Sequence, residues 1–194
     1  MIRSMTFPTP PWATRALLKH VLIPQAHSQH TVLEPACGRG HMAKTLSEYF
    51  HKVTAFDIAD YGYKRALQTR DFLEYRRNKL SLFDWVITNP PFNKAEKFVH
   101  NAVLLSRVGA AIFIRSTFAE SVGRYERLFQ MTPPTTVAQF SERVVLHKGK
   151  LSPKGSTATA YCWMVWNVKH YTRDTRYVWI PPCRTKLEHP KDYR

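Results

Sequence analysis

The segment Asp84-Trp85-Val86-Ile87-Thr88-Asn89-Pro90-Pro91-Phe92 constrains the chain most, because an apolar run that reads as a strand ends on two prolines. Proline has no N–H to give to a ladder, so a buried strand does not continue through it. The run must stop at the carboxyl edge of its sheet, which is where open α/β sheets bind ligands. Each proline also fixes its own φ and pushes the residue before it toward extended backbone. The expected product is a stiff loop that presents Asn89, the Pro90 carbonyl, Pro91 and the Phe92 ring together.

That set suits an aromatic amine. The nitrogen lone pair of such an amine is delocalised into its ring and is a poor nucleophile. Two acceptors, the Asn89 side-chain oxygen and the Pro90 carbonyl, would bind both N–H groups and draw the nitrogen toward a tetrahedral shape. Phe92 would stack on the ring. Orientation and preorganised dipoles would then carry the catalysis, with no covalent protein intermediate and no metal. A rigid strand end packed by Phe92 is the purely structural alternative.

Elsewhere, short β-branched runs alternate with helix-like segments, which predicts βαβ units and a mostly parallel sheet. Helices are expected over residues 12–23, 40–50, 94–106 and 119–130, the first of them ended near Pro24. Strands are expected over 31–34, 52–57, 71–74, 83–88 and 109–115. Residues 137–147 and 159–168 then read as two strands of an antiparallel hairpin, joined by a loop rich in Lys, Gly, Pro and Ser. A chain of 194 residues suits one hydrophobic core. The organisation expected is one domain over 1–170, with a basic, proline-punctuated tail over 171–194.

The first strand runs into Glu34-Pro35-Ala36-Cys37-Gly38-Arg39-Gly40 and then a helix. Glycine in such a turn lets the backbone approach a ligand closely, and the helix start offers free N–H groups. Asp57 ends the next strand about 17 positions on, where an acidic residue accepts hydrogen bonds from ribose hydroxyls. The turn lacks the Gly-Lys-Ser/Thr ending of a nucleoside triphosphate loop. Ala43 stands where a dinucleotide fingerprint has its third glycine, which lowers the case for a nicotinamide cofactor.

A net charge of +15 and a pI near 10.0 predict a polyanionic partner, most commonly nucleic acid. Charge does not separate DNA from RNA. Arg115, Arg124, Lys148, Lys150 and Lys154 are the candidate phosphate contacts. Cys37, Cys162 and Cys183 form no Cys-x-x-Cys pair and the histidines no metal spacing, so neither a disulfide framework nor a metal is expected. No apolar run is long enough to span a membrane. Prolines 8, 10 and 11 interrupt any secretion signal, so a cytoplasmic location is expected.

On the residues Thr9-Pro10-Pro11-Trp12, Glu34 to Gly40, Phe56-Asp57-Ile58, Asp71-Phe72-Leu73, Asn89 to Phe92 and Gly155 to Tyr161, the chain resembles class I S-adenosylmethionine-dependent methyltransferases. Within them it is similar to the small N6-adenine DNA methyltransferases of bacteriophages and prophages, in the gamma order of motifs. The resemblance spans roughly residues 7–168. It implies a Rossmann-like α/β fold with a seven-stranded sheet ending in an antiparallel hairpin, and S-adenosyl-L-methionine as cofactor. It implies that Thr9, Pro10 and Trp12 line the methionine end of the cofactor. Glu34, Pro35, Ala36, Cys37, Gly38 and Gly40 would wrap its amino-acid part and ribose. Asp57 would bind the ribose, Ile58 would pack on the adenine, and Asp71 beside Phe72 would accept from the adenine amine. Asn89 to Phe92 would hold a flipped target adenine, with protection of phage DNA from restriction as the implied role. An RNA base or a glutamine side chain is the alternative substrate. A non-catalytic nucleic-acid-binding module is the alternative of a different class.

Overall fold

In the computed structural model, which describes residues 6–22, 28–75 and 82–193, a single seven-stranded sheet carries the chain in the order β2-β1-β3-β4-β6-β5-β7. The strands are β1 (Thr31–Glu34), β2 (Lys52–Ala55), β3 (Phe83–Thr88), β4 (Ser106–Arg115), β5 (Thr136–Phe140), β6 (Tyr161–Asn167) and β7 (Arg176–Ile180). β6 runs antiparallel to both of its neighbours, and the other six strands share one direction. The sheet is therefore mostly parallel and carries the expected antiparallel β5–β6 pair. Its fold class is α/β.

β3 and β4 are buried on both faces, which is why they read as nearly unbroken apolar runs. On one face Trp85, Ile87, Phe113 and Trp163 meet the helix α1 (Pro11–His20). α1 starts with Pro11, where the missing N–H costs nothing, and ends with Lys19 and His20 near its negative pole. On the other face Val86, Ile112 and Met164 meet the helix α3 (Ala95–Leu105). The helix α2 (His41–Leu46) follows the glycine turn. Pro24, the expected stop of α1, lies outside the described residues. Among the described residues no helix is long and apolar enough to cross a membrane.

Four expectations need correction. The strand expected over 71–74 is a 3-10 turn, Phe72–Glu74, because the Asp71 carboxylate accepts the Leu73 N–H at 2.8 Å and caps it. What remains beside β2 is a single parallel bridge between Asp57 and Thr69. The helix expected over 119–130 is broken into a 3-10 turn (Ser116–Ala119), a short α4 (Val122–Arg124) capped by Ser121, and a π-turn (Tyr125–Phe129). The strand expected over 137–147 ends at Phe140. Glu142 turns away there to cap the helix α5 (Arg184–Leu187), accepting from Cys183 N and Arg184 N at 2.6 and 2.8 Å.

The fourth correction concerns residues 171–194. They supply β7, which pairs with β5, and α5, which packs into the core through Leu187. Arg15, buried in α1, grips the end of the chain. Its guanidinium donates to Glu48 and Asp192 and to the Leu187 carbonyl, all within 2.8–2.9 Å. A charged side chain is tolerated at that depth because both carboxylates and the carbonyl satisfy its fork.

Candidate functional site

Strand order reverses at β1, with β2 on one side and β3 on the other, so the loops leaving β1 and β3 diverge and open a crevice at their carboxyl ends. The loop after β1 is the glycine turn. Gly38 and Gly40 hold φ of +50° and +79°, and Gly40 N closes the turn on the Cys37 carbonyl at 2.7 Å. A Cβ on Gly40 would lie 2.3 Å from the Tyr63 ring, so glycine is required there twice over. Asp57 leaves β2 beside this turn. Its Oδ2 accepts from Gly38 N at 2.8 Å and its Oδ1 from Ile58 N at 2.7 Å.

The loop after β3 is Asn89 to Phe92. Asn89 Nδ2 donates to the Phe7 carbonyl and to Thr9 Oγ1, both at 2.9 Å. Those two acceptors fix the amide so that Oδ1 is the atom left to accept from a ligand. Pro91 leads into a 3-10 turn, Phe92–Lys94. The Phe92 ring sits 6.2 Å from Tyr161, and the Arg115 guanidinium lies 4.6 Å over it.

Between these loops is a cavity of about 490 Å³, the size of a small-molecule site. Thr9, Glu34, Ala36, Cys37, Gly38, Asp57, Ile58, Asn89, Pro90, Pro91 and Phe92 all line it. Six other candidates do not. Trp12 is a core aromatic packed edge-on against Phe140 at 5.6 Å. Phe72 packs 4.9 Å from Phe98. Pro10 and Pro35 are buried, Gly40 shapes the turn from behind, and the Asp71 carboxylate caps its own 3-10 turn.

The basic candidates divide as well. Arg115 is at the site rim over Phe92, and the Lys148-Gly149-Lys150 turn reaches the cavity through Gly149, whose N–H donates to the Thr6 carbonyl at 2.8 Å. Lys148, Lys150 and Lys154 are exposed. Arg124 lies 4.4 Å over the Phe118 ring and donates to the Phe118 carbonyl, so its guanidinium is already committed.

The cavity wall is electrostatically unusual at Glu34. This carboxyl is 2% exposed, and its Oε2 has no hydrogen-bond partner. Burial, reinforced by the Asp57 carboxylate, holds it well above the ordinary carboxylate range. Burial also raises Asp57, against the pull of the backbone N–H groups it accepts. Cys37 is pushed far up by burial and by Glu34, so its thiol stays protonated. Burial and the nearby Lys44 and Arg39 lower His41 to about 4, which leaves a neutral imidazole at the cavity edge. A buried acid that accepts from the Ala43 backbone but keeps one oxygen without a partner, beside a second carboxylate, suits a ligand that brings its own donors or positive charge.

His41, Met42, Tyr61, Phe7 and Gly149 also line the cavity, and sequence reasoning passed over them. His41 and Met42 were open to inference as the residues that start α2 directly after the turn. Phe7 and Gly149 come from segments far apart in the sequence, and no local pattern marks them.

No family model matches the chain, and comparison with curated proteins finds no match. Solved structures do match. A protein from Vibrio vulnificus YJ016, assigned as a modification subunit of a type I restriction enzyme, is 15% identical with TM-score 0.65, over 97% of this chain and 50% of its own. One from Listeria monocytogenes, assigned as a class I S-adenosylmethionine-dependent methyltransferase, is 12% identical with TM-score 0.58, over 92% of this chain and 64% of its own. One from Pyrococcus horikoshii, assigned as an RNA methyltransferase, is 14% identical with TM-score 0.59, over 84% of this chain and 88% of its own. The chain thus spans about half the length of the first and under two-thirds of the second. The fold is that of class I methyltransferases. At these identities the likeness establishes the fold alone.

Proposed function

We propose that this protein binds S-adenosylmethionine in the 490 Å³ cavity and transfers its methyl group to the N6 amine of adenine in DNA. The observation that carries the reading is the fixed Asn89 amide, whose Nδ2 is held by two acceptors so that Oδ1 is left as an acceptor, on a residue that lines the same cavity as Glu34 and Asp57. The donor set fits the cofactor. Glu34 is the acceptor for a cationic amino group, Asp57 for ribose hydroxyls, and exposed Ile58 offers an apolar face for an adenine ring. Bound there, the cofactor supplies an electrophilic sulfonium methyl.

The chain's own residues do the rest. Asn89 Oδ1 and the Pro90 carbonyl accept the two N–H bonds of the target amine and orient its lone pair, and the displaced amine proton leaves to water. Phe92 provides the stacking face. Arg115 covers that ring in the free protein, and an entering purine would replace it and release the guanidinium toward a phosphate. An adenine in a duplex must be flipped to arrive here, at a cost of a few kcal/mol. The protonated Cys37 offers no thiolate for covalent attack on a pyrimidine. Adenine in RNA is the second reading, favoured by the fold likeness to an assigned RNA methyltransferase.

Asn89→Ala tests the reading. Transfer should fall to background while the dissociation constant for the cofactor changes by no more than a few-fold. Undiminished transfer in this variant would remove Asn89 from the chemistry.

A further inference from the structure

β7 is the outer edge of the sheet, and its side chains alternate. Val178 and Ile180 turn into the core on the α1 side, while Tyr177 and Trp179 project from the opposite face. Tyr177 is 55% exposed and Trp179 67% exposed, with ring centroids 5.3 Å apart at 76°. The other four tryptophans, Trp12, Trp85, Trp163 and Trp166, are all buried. Two large aromatics on an open sheet edge mark a contact surface.

The surrounding charge selects the partner. Lys169, Arg173, Arg176 and Arg143 are exposed, and from 168 to 180 Asp174 is the sole acidic residue. The nearest other acid along the neighbouring strand, Glu142, is spent on the α5 cap. A chain of net charge +15 repels a second copy of itself and attracts a polyanion. β7 also runs parallel to β5, so Trp179 and Ile180 lie toward the same rim as Asn89 and Arg115. From β3 to β7 is four strand spacings, about 19 Å along the sheet, or roughly five to six stacked nucleotides.

We propose that Tyr177 and Trp179 form an accessory stacking site for single-stranded polynucleotide, which holds nucleotides flanking the target base, with the exposed Lys169, Arg173 and Arg176 around this edge supplying the positive charge. The assignment rests on the nucleic-acid reading of the catalytic cavity. Exposed ring faces stack on bases of any sequence, but only where those bases are unpaired, and the neighbouring cation binds the phosphate. A duplex buries the base faces that this surface needs.

Adenine-free single strands isolate the surface from the catalytic pocket, and a duplex, whose complementary strand carries adenine, serves as the base-paired control. The protein is titrated with the twelve-residue oligomers dT12 and rU12, and with a duplex containing dT12, while tryptophan fluorescence is followed. Trp179 is the exposed indole, so single strands should quench it and the duplex should not. Trp179→Ala should weaken dT12 binding by about 5- to 150-fold without changing the circular dichroism. Trp179→Phe should stay within a few-fold, and Arg176→Ala should lower the slope of log affinity against log salt by about 0.7. Equal dT12 affinity for the parent and Trp179→Ala would overturn the proposal and leave the catalytic reading standing. Failure of the parent to bind either single strand would equally overturn the proposal, while the catalytic reading is tested separately by methyl transfer to adenine-containing DNA. Loss of a dimer in Trp179→Ala, or a blue shift on anionic phosphatidylserine vesicles but not on dT12, would reassign the edge to a second copy or a membrane and equally overturn it.

Discussion

Replacing Thr9 by valine should slow methyl transfer without weakening cofactor binding. Thr9 is 3% exposed, and its Oγ1 accepts one of the two bonds that hold Asn89 Nδ2, the other going to the Phe7 carbonyl. Valine keeps the volume and removes the acceptor. Nδ2 then keeps one partner, and the amide gains freedom to rotate its oxygen away from the amine it must hold. Loss of one of two hydrogen bonds to a half-buried donor costs about 0.5–1.5 kcal/mol. If that cost is felt in the transition state, kcat falls by about 2- to 13-fold. The assay is single-turnover methylation at saturating cofactor and substrate, with cofactor affinity measured by calorimetry and folding by thermal melting. Thr9→Ser restores the hydroxyl and should recover kcat to within a few-fold. An unchanged kcat in Thr9→Val would refute the reasoning. So would an equal loss in Thr9→Ser, or a defect confined to cofactor affinity.

Three further outcomes follow from the same geometry. Gly40→Ala places a side chain at φ +79° and 2.3 Å from the Tyr63 ring, so thermal melting should show a loss of about 1–3 kcal/mol, and an unaltered melting temperature would contradict the turn's role. Glu34, held protonated above its ordinary pKa, should ionise when a cationic amino group binds beside it, so the cofactor should release a proton and bind more tightly as pH rises from the ordinary carboxylate range toward the raised value. Calorimetry in two buffers of different ionisation enthalpy measures that proton, and Glu34→Gln should remove most of the slope. Arg15→Met should leave Glu48 and Asp192 without their shared cation, with a loss of about 3–5 kcal/mol and faster proteolysis of the segment from Cys183 onward, whereas parental stability and proteolysis would show the clamp to be dispensable.

Much of the site is legible in the sequence because its determinants are local. A strand buried on both faces reads as the apolar run of β3, and the prolines that stop it put Asn89 at the sheet edge whatever surrounds it. The glycine turn and Asp57 are likewise set by backbone geometry, and all three segments meet in one cavity. What the sequence hides is non-local. β7 carries Arg176, Tyr177 and Trp179 outward on an edge, so it lacks a buried strand's apolar signature, and its place depends on pairing with β5. Two residues that line the cavity, Gly149 and Thr6, are joined by a hydrogen bond from Gly149 N to the Thr6 carbonyl between segments far apart in the sequence. Asp71 misleads for a different reason, since the short apolar run after it reads as a strand while its own side chain caps a 3-10 turn. Trp12 sits near the site in sequence but spends its bulk in the core against Phe140.

The central claim is that the cavity presents an adenine N6 amine to a sulfonium methyl, and the identity of the methylated product tests it most directly. The protein is incubated with tritiated S-adenosylmethionine and, in parallel, duplex DNA, single-stranded DNA, RNA and total protein, and each polymer is digested to its monomers. The account predicts label in DNA on N6-methyl-2′-deoxyadenosine. Label on a guanine amine, on a pyrimidine carbon or on a glutamine side chain would contradict it.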